Sequence, residues 1–159
     1  MSDTERMILL ALRSWNQVIG RLDQALLTLT EEQLERQVAP EKSRLIYLLG
    51  HLTVTHDIMR VLLQAVDRFY PQLDRIFFDN PDQSQSREVS ASLLKSAGTE
   101  VHRSLTNEML KFSGEEWLER HTAESEADFQ QDPTRNRIAI LLSRTNHASF
   151  HLGQIVLVK

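Results

Sequence analysis

Apolar residues recur at spacings of three and four along four long stretches, a period that dictates helices. In residues 3–27 the inward line runs through Met7, Leu10, Ala11, Ser14, Val18, Leu22, Ala25 and Leu26. Residues 44–69 carry Leu45, Leu48, Leu49, Leu52, Ile58, Met59, Leu62, Leu63 and Val66. Residues 88–111 carry Val89, Leu93, Leu94, Ala97, Val101, Leu105, Met109 and Leu110. A last helix is opened by Pro133 and Thr134, reaches nearly the final residue and holds Ile138, Ile140, Leu141, Leu142, Ile155, Val156, Leu157 and Val158. No segment shows a convincing strand pattern, and five glycines and four prolines are too few for a turn-rich β fold. The expected fold is all-α, a four-helix bundle.

Local signals set the connections. Thr28 with Glu31 and Thr30 with Gln33 are overlapping capping boxes, which predict a short helix ending before Pro40. Ser43 is the expected N-cap of the second long helix. Short helical turns are expected at 73–78 and 115–121, and polar loops at 80–86 and 122–132.

The 159 residues are expected to form a single domain spanning 1–159, large enough for a core without staples. A net charge of -4 argues against a nucleic-acid binder working through a broad basic surface. No stretch reaches the roughly 18 apolar residues of a membrane span, and the charged N-terminus is unlike a signal peptide. The chain has no cysteine, which removes disulfides, thiolate ligands and cysteine nucleophiles together and is compatible with a reducing cytoplasm. Any metal must be held by histidine, carboxylate and water.

Histidine spacing supplies the candidate chemistry. His147 and His151 stand four residues apart, one above the other with a rise of about 6 Å, and Gln154 continues the stripe. A polar stripe in an apolar helix needs a partner, because buried unpaired polar groups are costly. A divalent metal with a third histidine from another helix would be that partner. His51 and His56, about 140° apart around the second long helix, cannot both point the same way. His51 lies on an inward line with Leu48, Thr55 and Ile58. His56, beside Asp57 and Arg60, reads as a rim group, either a proton carrier or a surface residue. His102 and His121 lack any such spacing and read as surface residues. Three neutral imidazoles suit Zn(II), Ni(II), Fe(II) or Co(II) and leave positions open for water or substrate. Trp15, Tyr47 and Phe150 read either as pocket lining or as core.

Gly50-His51-Leu52, paired with His147-x-x-x-His151-x-Gly153-Gln154, resembles the DinB/YfiT-like family of metal-binding four-helix bundles over essentially the whole chain. The resemblance implies an up-up-down-down bundle whose metal is held by three histidines, carried over to His51, His147 and His151. It also implies activity of the kind known in members that transfer or rearrange substrates with low-molecular-weight thiols such as bacillithiol or mycothiol. Homodimers are common in the family. The residues before His51, Val38 to Ser43, lack the tryptophan many relatives carry there.

The leading expectation is therefore a metal-dependent, thiol-using S-transferase acting on a small molecule in the cytoplasm, with no nucleic-acid or membrane partner. A metal-dependent hydrolase is the enzymatic alternative. It would need a carboxylate base, and Asp57 is the candidate, against a surface aspartate. The third reading is a non-catalytic interaction module with a structural or relic metal. A zincin protease is excluded because Ala148 stands where its glutamate would be, and no Glu-x-x-His pair supports a di-iron site.

Overall fold

The computed structural model describes residues 1–82 and 88–158; part of the loop expected at 80–86 lies outside them. Helix α1, Asp3–Leu27, opens on a Ser2/Glu5 capping box. Its buried line is Ile8, Leu12, Trp15, Ile19 and Leu22, one residue out of step with the expected line at the N-terminal end. Met7 and Leu10 are exposed, because two apolar lines overlap there and the one carrying Trp15 takes the core. Helix α2, Glu31–Leu34, uses the Thr30/Gln33 capping box. Thr28 instead closes α1, its hydroxyl donating to the Gln24 carbonyl at 2.9 Å.

Helix α3, Leu45–Leu62, is capped at Arg44 rather than at the expected Ser43, and the Asp82 carboxylate accepts the Arg44 amide at 2.7 Å. It also stops seven residues short of the expected end. Gln64 adopts φ 56°, and the Asp57 carboxylate accepts the amides of Phe69 and Tyr70, both at 2.9 Å. That carboxylate offers the chain better-placed bonds outside the helix than continued helix would supply. A 3₁₀ turn at Pro71–Leu73 leads into α4, Asp74–Phe77.

Helix α5, Ala91–Met109, starts at Ser90, whose hydroxyl accepts the Leu93 amide. Helix α6, Gly114–Trp117, carries a Ser113/Glu116 capping box. Helix α7, Glu126–Gln131, replaces the irregular loop expected there. Ser125 caps it, and it buries no side chain, so no apolar period announced it. Helix α8, Arg137–Val158, begins where Asn136 Oδ1 accepts the Ala139 amide at 3.1 Å.

The four long helices close a ring, with α1 against α8 and α5, and α3 against α5 and α8. The fold is all-α. Among the described residues no helix is long and apolar enough to cross a membrane. The seam between α3 and α8 brings the histidines together.

Candidate metal centre

Helix α8 buries Leu141, Thr145, Ala148, Leu152 and Ile155. The adjoining line, His147, His151 and Gln154, is half-buried and faces α3. On α3 the residue before His51 is glycine for a packing reason. A Cβ at Gly50 would come within 2.5 Å of ring carbons of Phe77, which is fully buried in α4. The close approach lets the Phe77 carbonyl accept the His51 Nδ1 proton at 2.8 Å.

The three imidazoles converge through their Nε2 atoms. His147 Nε2 lies 3.2 Å from His51 Nε2 and 3.1 Å from His151 Nε2. The ligand atoms of all three fall within 4.8 Å of one another, so the cluster could hold a metal ion. The Phe77 carbonyl can only accept, which fixes the His51 tautomer, and Gln154 presents its Oε1 to His151. His51 donates Nδ1–H to Phe77, and His151 donates Nδ1–H to Gln154 Oε1 at 2.7 Å. Both rings therefore turn an Nε2 lone pair toward His147.

Burial keeps the rings neutral. It lowers the basicity of His51 and His151, and it lowers the His147 pKa to about 4, with the charges of His151, His51 and Arg144 adding to the effect. A proton on His147 Nε2 could satisfy one neighbour and not both. A divalent cation satisfies all three, and Zn–N bonds of about 2.0–2.1 Å in a tetrahedral site give N···N edges of roughly 3.3 Å. The donor set therefore fits a borderline divalent metal. Tyr47 stacks on His51 at 6.0 Å with an interplanar angle of 9°, and its hydroxyl donates to the Asn80 carbonyl.

Several residues lie elsewhere than expected. His56 is fully buried, not at a rim, because its Nδ1 meets His102 Nε2 at 2.8 Å. His102 is buried as well, held by Asp23 on α1 at 2.8 Å, and His121 is buried in the chain that follows α6. Asp57 is fully buried and is not part of the group formed by His51, His147 and His151. Besides the Phe69 and Tyr70 amides it faces Arg68 at 3.3 Å and Arg60 at 3.5 Å, so neither a surface aspartate nor a base at the metal describes it. Trp15 is core, edge-on to His56. Phe150 is 64% exposed beside His151, and is neither core nor an enclosed pocket wall.

Arg144 was not singled out from the sequence, although its place one turn before His147 is legible in the helical register. It is partly buried, its Nε is buried without an acceptor, and among the described residues it makes no ion pair. Arg44, Arg60, Arg68, Arg120 and Arg137, also withdrawn from solvent, all face carboxylates. The Arg144 charge depresses the basicity of His51, His56 and His147, which puts it within electrostatic reach of the cluster.

No curated protein matches the chain. The DinB superfamily profile matches residues 14–155, a span that contains His51, His147 and His151, and the chain belongs to that superfamily.

Proposed function

We propose that this protein is a divalent-metal-dependent enzyme of the thiol S-transferase type, with His51, His147 and His151 as the metal ligands and a low-molecular-weight thiol as co-substrate. The observation that carries this reading is the meeting of three Nε2 atoms, with Nδ1 of His51 engaged by the Phe77 carbonyl and Nδ1 of His151 by Gln154 Oε1. Zn(II), Ni(II) or Fe(II) held there would keep positions open and favour thiolate over thiol at neutral pH. The thiolate sulfur bonds to an electrophilic carbon, the leaving group departs with its electron pair, and the thiol proton passes to solvent.

The site favours an anionic ligand, and the carboxylate a hydrolase would use is engaged elsewhere. Three neutral imidazoles leave the charge of a divalent ion undiminished, and Arg144 adds another positive charge, so the site attracts anions. Asp57, the carboxylate a hydrolase reading would use as base, is committed to two arginines and two backbone amides. The chain has no cysteine, so sulfur must come from a small molecule. A reduced thiol as co-substrate would suit a reducing cytoplasm. Exposed Phe150 and Leu157 on α8 support a homodimer, which sedimentation would test.

The test is elemental analysis of untagged protein that has never met a nickel column, beside His51→Ala and His147→Ala. Near-stoichiometric metal in the parent, lost in both variants, is the expected result, and thiols screened against electrophiles on the loaded protein then read the activity. A parent that takes up no Zn(II), Ni(II) or Fe(II) would sink the enzyme reading and leave a helical interaction module.

A further inference from the structure

Six buried side-chain atoms have no partner among the described residues, and three of them are His56 Nε2, His147 Nδ1 and Trp15 Nε1. Their chemistry is complementary. Asp23 can only accept, so His102 donates Nδ1–H to it at 2.8 Å and keeps a lone pair on Nε2. That lone pair accepts His56 Nδ1–H at 2.8 Å, which leaves His56 Nε2 as an acceptor. His147, ligating through Nε2, carries its remaining proton on Nδ1 and is a donor. Trp15 Nε1 is a donor only, and its ring meets the His56 ring edge-on at 5.0 Å.

Two donors and one acceptor are the complement of a single internal water, which can accept twice and donate once. His56 is 0% exposed and His102 7%, whereas the Asp23 side chain is 29% exposed. The chain of groups therefore starts near solvent on α1 and runs through His102 on α5 to His56 on α3. His51 and His151 already have acceptors for their Nδ1 protons, so His147 is the one member of the cluster without one.

We infer that His56 is a positioning residue of the metal centre, accepting the Nδ1 proton of His147 through one water shared with Trp15, at the end of an Asp23–His102–His56 relay. This rests on the proposed three-histidine centre. The relay fixes the His147 tautomer, and its terminal carboxylate raises the basicity of the ligand nitrogen, as partners of metal-bound imidazoles commonly do. His56 burial and the mutual effect of its charge with that of His147 agree with this placement.

The experiment compares zinc affinity, by chelator competition, in the parent, Asp23→Asn and His56→Phe, and records the ring ¹⁵N–¹H signal of His147 in each zinc-loaded protein. About tenfold weaker zinc binding is expected for His56→Phe, with a smaller loss for Asp23→Asn. The His147 Nδ1–H signal should be downfield and slow to exchange in the parent and move upfield in both variants. Asp23→Asn keeps the shape of a partly exposed side chain and guards against a His56→Phe protein that does not fold. A purely structural role for Asp23 would leave the His147 signal where it is. Zinc affinities within twofold of the parent, with an unmoved His147 signal, overturn the relay while the metal centre stands. A parent that binds no zinc overturns both.

Discussion

The Nε2 atoms of His51 and His147 stand 3.2 Å apart across the α3–α8 seam, nitrogen facing nitrogen. The His51 proton is engaged with Phe77 on the other side of its ring, so this contact gains little unless a cation or proton lies between the rings. Without metal, the histidine cluster is a place where the fold loses stability as acid is added. The His147 pKa is about 4, against 6.5 for an unperturbed histidine. Between those values the unfolded chain binds a proton that the folded chain refuses. Stability is therefore full above pH 6.5 and lost as pH falls toward 4. The shift corresponds to roughly 2 kcal/mol once the partial exposure of the ring is allowed for. Metal-free protein should melt about 4–8 °C lower at pH 4.5 than at pH 7. His147→Gln should reduce that fall without abolishing it, because His51, His56 and His151 are also held below the ordinary histidine value, and thermal denaturation across pH checks both.

Gly50 and Phe77 give the site a second weak point. Ala at position 50 must displace the Phe77 ring, an overpacking that costs about 1–3 kcal/mol. Because the Phe77 carbonyl orients His51, the damage should reach the metal, and Gly50→Ala is expected to bind zinc roughly tenfold more weakly. Gly153→Ala is the control. A Cβ there meets nothing within 4 Å, so the helix should gain about 0.5–1 kcal/mol. Thermal melts and chelator competition on the two variants separate packing from helix propensity.

Much of this was legible before any coordinates. The period of three and four gave the four long helices, and the His147/His151 spacing with Gln154 marked the stripe on α8. What the sequence hid is long-range. The partner of His102 is Asp23, 79 residues away, and the acceptor for His51 is a backbone carbonyl, which no residue type announces. The early end of α3 was hidden for the same reason, since the Asp57 carboxylate reaches forward to two amides beyond the helix. An amphipathic period reports which face is buried. It does not report which buried polar group a second helix will satisfy.

Asp57 tests the distinction between a fold-holding carboxylate and a catalytic one. Removing it strands Arg60 and Arg68 and unties the chain after α3, so Asp57→Ala should cost about 3–5 kcal/mol in urea denaturation. Metal per folded molecule should stay at the parent value, because no contact joins Asp57 to the histidine cluster. Normal stability with lost activity would restore it as a candidate base.

Arg144 offers the sharpest handle on substrate charge. A partly buried guanidinium with no counter-ion among the described residues, within electrostatic reach of the histidine cluster, should hold the carboxylate of a thiol bound to a metal there. Mercaptoacetate and 2-mercaptoethanol would both reach the ion through sulfur, so the difference between them isolates the carboxylate. In cobalt-loaded protein, followed by the thiolate charge-transfer band, the parent should prefer mercaptoacetate by about 10–100-fold, the worth of a hydrogen bond to a charged group. Arg144→Ala should bring the two thiols to nearly equal affinity, and Arg144→Lys should keep part of the preference, since ammonium supplies charge without the planar fork. Equal affinities in the parent would mean that the Arg144 charge is spent on solvent, and the co-substrate need not be an anionic thiol.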